Sequence, residues 1–251
     1  MNFGARALIR LGALEHNLQV IRQAAPQARI MAVIKANAYG HGMVTVAQHL
    51  NEVDAFAVAR VQEALTLRSN GIATRVVLLS GAMNTHDAAM ADQHNFEPVV
   101  HSWNQLEILD NYASGRINVW AKFDTGMNRL GFDPADAEDV LDRLRASRGV
   151  GEIRLMTHLS SADELENTVT ARQLEVFEPV VRGFDGDVSI GNTPATLGWP
   201  ETVAAKERFD FKGDYWIRPG VALFGVSPFG DGCGADLGLK PVMRFEARLI
   251  A

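Results

Sequence analysis

Residues 30–36, with the sequence IMAVIKA, contain the pattern on which the fold assignment depends. A run of apolar and β-branched residues ends near one charged residue, Lys35, and a polar turn and a helical segment follow it. The same pattern recurs along the chain, with further strand candidates at 55–60, 75–81, 96–101, 117–124, 152–160, 187–192 and 215–220. Apolar strands that alternate with helical segments are typical of parallel strands joined by helical crossovers. The sequence therefore predicts an α/β protein.

The number of strand candidates distinguishes two α/β architectures. Helix candidates fill the intervals at 43–50, 61–69, 85–93, 102–112, 134–147, 164–181 and 193–203. Eight strands within roughly 200 to 250 residues match a (β/α)8 barrel of the TIM type. The alternative is an open doubly wound sheet. A barrel places functional polar residues at the ends of many strands, whereas an open sheet places them at one switch point. Here polar residues recur at strand ends along the whole chain: Lys35, Arg60, His101, Asp124, His158, Asn192 and Arg218. This distribution favours the barrel, which we expect to span residues 6–225.

Two segments lie outside the predicted barrel strands. Residues 5–24 predict a short strand followed by an amphipathic helix. Residues 227–241 form a glycine-rich connector, and residues 242–251, VMRFEARLIA, alternate like a strand that has nothing to pair with. We therefore expect residues 226–251 to be a connector and the first strand of a truncated C-terminal β domain.

Composition excludes several classes of protein. The 251 residues carry 24 Lys and Arg against 30 Asp and Glu, a net charge of −6, and form no basic stripe for nucleic acid. One cysteine, Cys233, cannot form an internal disulfide, which indicates a reducing compartment. No stretch of 18 uncharged apolar residues could cross a membrane, so we expect a soluble cytoplasmic protein. The histidines show no metal-ligand spacing, and no metal site is expected.

The polar residues at the strand ends suggest a cofactor site. A lysine at the end of an apolar strand, such as Lys35, is either a side chain that snorkels to solvent or a nucleophilic amine. Asn192-Thr193 and Arg218-Pro219-Gly220 follow the seventh and eighth strands, where barrels often bind phosphate, although an Asn-Thr pair is also a common helix cap. Together, a lysine and a phosphate cradle suggest a phosphorylated aldehyde held as a Schiff base.

Two further motifs lie at strand ends and have simpler structural readings. KFDTGMNRLGF, residues 122–132, places Lys122, Asp124 and Arg129 around a glycine-bracketed turn, which taken alone favours a charge-paired loop. THLSSAD, residues 157–163, places His158 at the end of the sixth strand, where a buried structural histidine is equally consistent with the pattern.

Four motifs together resemble the alanine racemases, pyridoxal-phosphate enzymes with an N-terminal (β/α)8 barrel. They are AVIKANAYGHG (32–42), KFDTGMNRLGF (122–132), THLSSAD (157–163) and WIRPGVALFGVSP (216–228), and the resemblance extends from about Arg6 to Ala251. It implies that Lys35 forms an aldimine with pyridoxal 5′-phosphate and is one of two catalytic bases.

The resemblance also implies roles for the other candidates. Tyr39, Thr193 and the backbone amides near Gly220 and Val221 would bind the phosphate, beside Asn192. Arg218 would face the pyridine nitrogen with His158 behind it, Arg129 would contact the phenolic oxygen, and Lys122 matches a lysine that can be carbamylated to orient that arginine. An arginine does not readily give up its proton to the ring nitrogen, which limits the lifetime of the carbanion and suppresses transamination.

The sequence departs from the family pattern at several places. Thr193 and Phe224 stand where Ser and Tyr are common, which keeps the phosphate hydroxyl but leaves the role of Phe224 open. In the family, the second base is a tyrosine from the C-terminal domain of the partner subunit in a homodimer. We therefore expect interconversion of L- and D-alanine, a step toward peptidoglycan precursors, from the full-length enzyme and poor activity from this chain alone.

Two other functions fit the sequence. One is a single-barrel protein that binds pyridoxal phosphate without turnover, as in cofactor homeostasis. The other is a racemase for another small amino acid such as serine. A related decarboxylase is disfavoured, because such enzymes generally present an acidic residue to the ring nitrogen and this chain has Arg218.

Overall fold

The computed structural model describes residues 4–112 and 115–248. In these ranges the strands are β1 (Ala5–Ile9), β2 (Arg29–Val33), β3 (Ala55–Val58), β4 (Arg75–Leu78), β5 (Phe96–Val100), β6 (Ile117–Lys122), β7 (Val150–Met156), β8 (Val188–Asn192), β9 (Tyr215–Arg218) and β10 (Met243–Ala247). Strands β2 to β9 close into a parallel barrel, in which neighbours in sequence are neighbours in space and β9 returns to β2. The predicted (β/α)8 barrel is confirmed, and its eight strands are those expected from the apolar runs.

Helices cover the outside of the barrel. They are α1 (Leu11–Ala24), α2 (Lys35–Tyr39), α3 (Met43–His49), α4 (Val61–Ser69), α5 (Thr85–His94), α6 (Trp103–Asn111), α7 (Ala137–Ala146), α8 (Val169–Val181), α9 (Thr193–Gly198), α10 (Pro200–Val203) and α11 (Ala205–Arg208). Short 3₁₀ turns occupy Pro134–Asp136, Val221–Phe224 and Gly234–Leu237. No helix in the described ranges is long and apolar enough to cross a membrane.

Alternation along the strands divides the core into two layers. Buried side chains on the outer face of the strands pack under the helices, and those on the inner face fill the barrel interior. The interior side chains are Met31, Val33, Ala55, Ala57, Val77, Val99, Trp120, Met156 and Trp216. The two tryptophans meet edge to face with ring centroids 5.8 Å apart. Because both strand faces are buried, the strands read as continuous apolar runs rather than as alternating ones.

Charged residues close the barrel near the N-terminal ends of its strands. Glu97 pairs with Arg75 at 2.8 Å and with Arg154 at 3.4 Å, and Arg154 also pairs with Asp187 at 3.2 Å. The indole N–H of Trp120 donates to Glu97 at 2.9 Å, so the cluster is tied to the apolar interior. This end of a barrel contributes stability rather than chemistry.

Two helix boundaries differ from the prediction. The helix expected at 164–181 begins only at Val169. The helix expected at 193–203 is broken into α9 and α10 at Trp199, which has φ −123° and ψ 93°. The break follows from Pro200, because a residue that precedes proline is pushed out of the helical region.

The terminal strand is paired, contrary to the expectation that it had no partner. Strand β10 runs antiparallel to β1, with Ala5 opposite Ala247 and Ile9 opposite Met243. The prediction was wrong because both strands were recognised separately and local patterns carry no information about pairing across 240 residues. Residues 249–251 of the predicted strand lie outside the described residues. The division into a barrel at 6–225 and a second domain from 226 stays a prediction.

Candidate functional site

One cavity of about 440 Å³ lies at the C-terminal ends of the barrel strands. Its lining includes the ten positions to which the family resemblance assigns a role at the cofactor, namely Lys35, Tyr39, Lys122, Arg129, His158, Asn192, Thr193, Arg218, Gly220 and Val221. The other strand-end candidates, Arg60, His101 and Asp124, do not line it. A cavity of about 490 Å³ on the outside of the barrel, between α1 and α9 to α11, contains none of them. The C-terminal face is also where barrel enzymes place their chemistry.

The turn after β2 positions Lys35 and Tyr39. Residues Ala36, Asn37, Ala38 and Tyr39 have φ values of 53°, 55°, 55° and 52°, so α2 is a left-handed turn. Lys35 stands at its start and Tyr39 at its end, and both line the cavity. Burial raises the pKa of Tyr39, so its hydroxyl keeps its proton and is available as a hydrogen-bond donor.

Phe224 supports this turn from behind. Its ring is stacked on His41 with centroids 4.4 Å apart and lies 5.3 Å from the ring of Tyr39. The side chain is buried. The role that the sequence left open is therefore a packing contact that keeps Tyr39 against the cavity.

Donors converge on one side of the cavity, where β8 and β9 end. The Thr193 hydroxyl accepts from the Gly220 amide at 2.9 Å, which leaves its own proton free to be donated into the cavity. Val221 lines the same cavity and begins a 3₁₀ turn, and the first amides of a helical turn have no partner within it. A Cβ on Gly220 would lie 2.7 Å from the Tyr39 hydroxyl oxygen, so only glycine keeps this space open.

Asn192 has a structural role in this cradle. Its side-chain oxygen accepts from the Ala195 amide at 3.2 Å and its amide group donates to the Leu159 carbonyl at 3.0 Å. The simpler reading of Asn192 as the cap of α9 therefore describes its contacts. Its position at the end of β8 fixes where Thr193 stands.

Arg218 ends β9 and lines the same cavity. Its guanidinium donates to the Ser189 hydroxyl at 2.6 Å, to the Thr157 and Ile190 carbonyls at 2.6 and 3.2 Å, and to His158 Nδ1 at 3.2 Å. Burial lowers the pKa of Arg218 to about 10, which still leaves it protonated at neutral pH. These four acceptors include no carboxylate, so the positive charge is directed at the cavity and not neutralised by them.

His158 is neutral beside this arginine. Burial and the neighbouring Arg218 charge hold the pKa of His158 well below its ordinary value. Since an arginine only donates, Nδ1 of His158 accepts and the ring proton sits on Nε2. The histidine thus orients Arg218 without adding a second charge.

Strand β6 ends at Lys122, and the loop that follows it carries Arg129. Asp124 accepts from the amides of Gly126, Met127 and Asn128 with one oxygen and from the Arg129 amide at 2.8 Å with the other. Burial alone would raise the pKa of Asp124, but these amide bonds outweigh it and lower the pKa. The loop is therefore built on backbone amides, and its geometry differs from the charge-paired loop that the sequence left open.

Lys122, the last residue of β6, is a buried amine that contacts the same loop. Its Nζ donates to the Leu130 carbonyl. Burial, with a further contribution from the Arg218 charge, lowers the pKa of Lys122 to about 8. A substantial fraction of this lysine is therefore uncharged in mildly alkaline solution.

Sequence reasoning missed the residues that hold the site from behind. Thr157 and Ser189 fix Arg218, and Gln173 on α8 donates to Thr125 and to the His158 carbonyl, both at 3.2 Å. A polar residue within an apolar strand was a usable signal for Ser189. Nothing in the helical pattern distinguishes Gln173 from a surface glutamine.

The chain is similar to proteins of one family over most of its length. The sequence model of the family described as alanine racemase, N-terminal domain, matches residues 9–228. An alanine racemase of Shewanella baltica is 43% identical over 253 residues, covering 100% of this chain and 68% of that protein, and one of Aliivibrio salmonicida is 41% identical over 249 residues, covering 98% and 67%.

Solved structures give the same result. The biosynthetic alanine racemase from Pseudomonas aeruginosa superposes with a TM-score of 0.87 at 37% identity, covering 96% of this chain and 65% of that one. The alanine racemase from Acinetobacter baumannii gives a TM-score of 0.82 at 35% identity, covering 99% and 71%. The chain spans about two thirds of the length of these relatives.

Proposed function

The chain belongs to the alanine racemase family, and we propose that its barrel binds pyridoxal 5′-phosphate and supplies one half of the acid–base machinery that interconverts L- and D-alanine. The observation that carries the proposal is the convergence of three features in one cavity. These are a lysine amine at the rim, a cradle of donors at Tyr39, Thr193 and Val221, and a buried arginine whose hydrogen-bond partners include no carboxylate.

The residues present fit this cofactor. A cavity of about 440 Å³ lies in the range of small-molecule sites, and its wall is open where a Cβ on Gly220 would close it. Tyr39, Thr193 and the amide at Val221 would hold the phosphate beside Gly220, whose own amide donates to Thr193. Arg218 would face the ring nitrogen, and Arg129 the phenolic oxygen. Lys35 would hold the aldehyde carbon. When bound, the cofactor withdraws electrons and so makes the α-hydrogen of the amino acid more acidic.

The chain's own residues then have distinct tasks. Lys35 takes or returns a proton at the α-carbon of the substrate from one face. Arg218 keeps its protons, because its pKa of about 10 lies well above neutral pH, and so offers the ring nitrogen a hydrogen bond rather than a full proton. His158 and the Ser189 hydroxyl hold the guanidinium in that orientation.

Hydrogen exchange tests the proposal and separates it from the alternatives. The purified chain, supplied with pyridoxal 5′-phosphate, is incubated with alanine or serine in deuterated water, and loss of the α-hydrogen signal is followed by NMR. We expect exchange of alanine that disappears in a Lys35→Ala variant. Cofactor binding without exchange would contradict the proposal and favour a carrier, and faster exchange of serine would shift the substrate assignment.

We further propose that Lys122 forms a carbamate with carbon dioxide. Only a neutral amine reacts, so the pKa of about 8 makes the reaction accessible, and the nearby Arg129 and Arg218 charges favour the negative product. With ¹³C-labelled bicarbonate, we expect a carbamate carbon signal that grows as the pH rises from 7 to 9 and is absent in Lys122→Met. A signal that persists in Lys122→Met, or no signal at pH 9, would contradict this assignment.

The family also suggests how the complete protein works. We propose a homodimer in which the partner subunit supplies the second base, acting in the cytoplasm to provide D-alanine for peptidoglycan precursors. Two features support this proposal: the relatives are about half as long again as this chain, and Cys233 is a free thiol, as expected in a reducing compartment.

A further inference from the structure

The left-handed turn that carries Lys35 and Tyr39 is strained. Ala36, Asn37, Ala38 and Tyr39 all have φ between 52° and 55°, although none of them is glycine. L-amino acids avoid this region because Cβ approaches the backbone, and a run of four is held only where surrounding contacts enforce it.

Contacts within the turn secure its C-terminal side. The Gly40 amide donates to the Ala36 carbonyl at 3.1 Å, and the Gly42 amide donates to the Asn37 carbonyl at 3.0 Å. The side chain of Asn37 accepts from the Met43 amide at 2.9 Å. These bonds are local, so they do not fix the turn relative to the rest of the barrel.

A carboxylate on a neighbouring helix secures the N-terminal side. Glu63 on α4 accepts from the Ala36 amide at 2.7 Å with one oxygen. With the other oxygen it accepts from the Ala59 amide at 2.7 Å and the Arg60 amide at 3.2 Å. One side chain thereby joins the turn after β2 to the loop after β3, immediately beside Lys35.

We propose that Glu63 is a positioning residue that locks the left-handed turn and so sets where the Lys35 amine and the Tyr39 hydroxyl stand. Its consequence for the cofactor rests on the roles proposed above for Lys35 and Tyr39. A carboxylate is suited to the task because both of its oxygens accept, and bonds from amides to a charged acceptor are stronger than neutral ones. An amide at position 63 would present an NH₂ group to one of these backbone N–H donors and leave that donor unpaired.

The first test uses the cofactor-free protein. In Glu63→Gln, we expect the amides of residues 36–42 to exchange with deuterium about tenfold faster or more, as the loss of one charge-assisted hydrogen bond implies. The matched control is Asp87→Asn. Asp87 lies in the first turn of α5 and accepts from the Met83 amide at 3.0 Å, so it has the same kind of contact but none with the left-handed turn at 36–39. The control should leave exchange at 36–42 unchanged.

The same measurement separates positioning from helix capping. If Glu63 only caps α4, exchange will rise at Ala59, Arg60 and the start of α4 but not at 36–42, and the proposal is overturned. If Glu63→Gln does not fold, Glu63→Asp is used instead, because its side chain is one methylene shorter. Unchanged exchange at 36–42 in Glu63→Asp would also overturn the proposal.

A rescue experiment tests the role of strain. Ala36 is exposed, so its methyl group can be removed without leaving a cavity, and glycine adopts positive φ readily. Adding Ala36→Gly to Glu63→Gln should recover part of the lost protection at Gly40 and Gly42. If the double variant exchanges as fast as Glu63→Gln, or faster, strain is not what Glu63 opposes.

Cofactor binding links the inference to function. We expect Glu63→Gln to weaken binding of pyridoxal 5′-phosphate about tenfold, and Asp87→Asn to leave it unchanged. If the unsubstituted chain does not bind the cofactor at Lys35, the proposed function fails while the exchange data still decide the role of Glu63. If the cofactor binds but Glu63→Gln alters neither exchange at 36–42 nor affinity, the inference about Glu63 alone fails.

Discussion

Replacing Arg218 by leucine is expected to lower the free energy of unfolding by about 3 kcal/mol, because removing the guanidinium leaves buried polar groups without partners. The affected acceptors are the Thr157 and Ile190 carbonyls and the Ser189 hydroxyl, all within 3.2 Å of the guanidinium. Urea unfolding of the cofactor-free chain measures the loss. Arg218→Lys, which keeps a positive donor of smaller reach, should lose less.

The same substitution should change the titration of His158. Burial lowers the pKa of His158 most, and the Arg218 charge lowers it further. In Arg218→Leu the second contribution is gone, so we expect the pKa to rise while it stays below that of an exposed histidine. NMR titration of the ring carbons, with His158→Asn to assign the signal, measures the change. A His158 titration identical to that of the unsubstituted chain would contradict the contact on which the orientation of Arg218 depends.

Exchange without interconversion is the second expected result. The 251-residue chain on its own should exchange the α-hydrogen of one enantiomer of alanine. It should form the other enantiomer roughly 10² to 10⁴ times more slowly than a site with two bases, because losing a positioned acid or base usually costs that factor in rate. Racemisation needs a base on one face of the α-carbon and an acid on the other. Lys35 provides one of them.

The tyrosines of the chain do not provide the other. Tyr39 follows Lys35 on the same turn and lies beside Gly220. Tyr112 donates to Asp92 on the outer helices at 2.8 Å. Tyr215 accepts from the Gly191 amide at 3.1 Å and lines the cavity on the outside of the barrel. NMR in deuterated water with chiral analysis of the product follows both processes. Interconversion of both enantiomers as fast as exchange would show that the second base lies within these 251 residues.

The barrel was predictable because its signal is repeated. Each of the eight parallel strands is a short apolar run, and polar residues end or follow seven of them at the same end of the barrel. Errors at single boundaries therefore do not alter the architecture. The site followed from this repetition, since residues as distant as Lys35 and Arg218 meet once the strands close.

What the sequence did not reveal depends on tertiary contacts. The pairing of β1 with β10 joins two weak local patterns from opposite ends of the chain. The left-handed turn at 36–39 consists of residues that rarely adopt positive φ, and its first amide is bonded to Glu63, 27 residues further along the chain. In the same way, Asp124 was visible as a charge, but its role in folding the loop around backbone amides was not.

The central claim is that Lys35 is the lysine that carries the cofactor, and chemical trapping tests it most directly. The chain has five lysines, and only Lys35 and Lys122 line the cavity. The protein is incubated with pyridoxal 5′-phosphate, reduced with borohydride and digested, and the modified peptide is identified by mass spectrometry. The account predicts one modified residue, Lys35, and no modification of the cavity in Lys35→Ala. Modification of Lys122 or of an outer lysine in place of Lys35, or no modification at all, would contradict it.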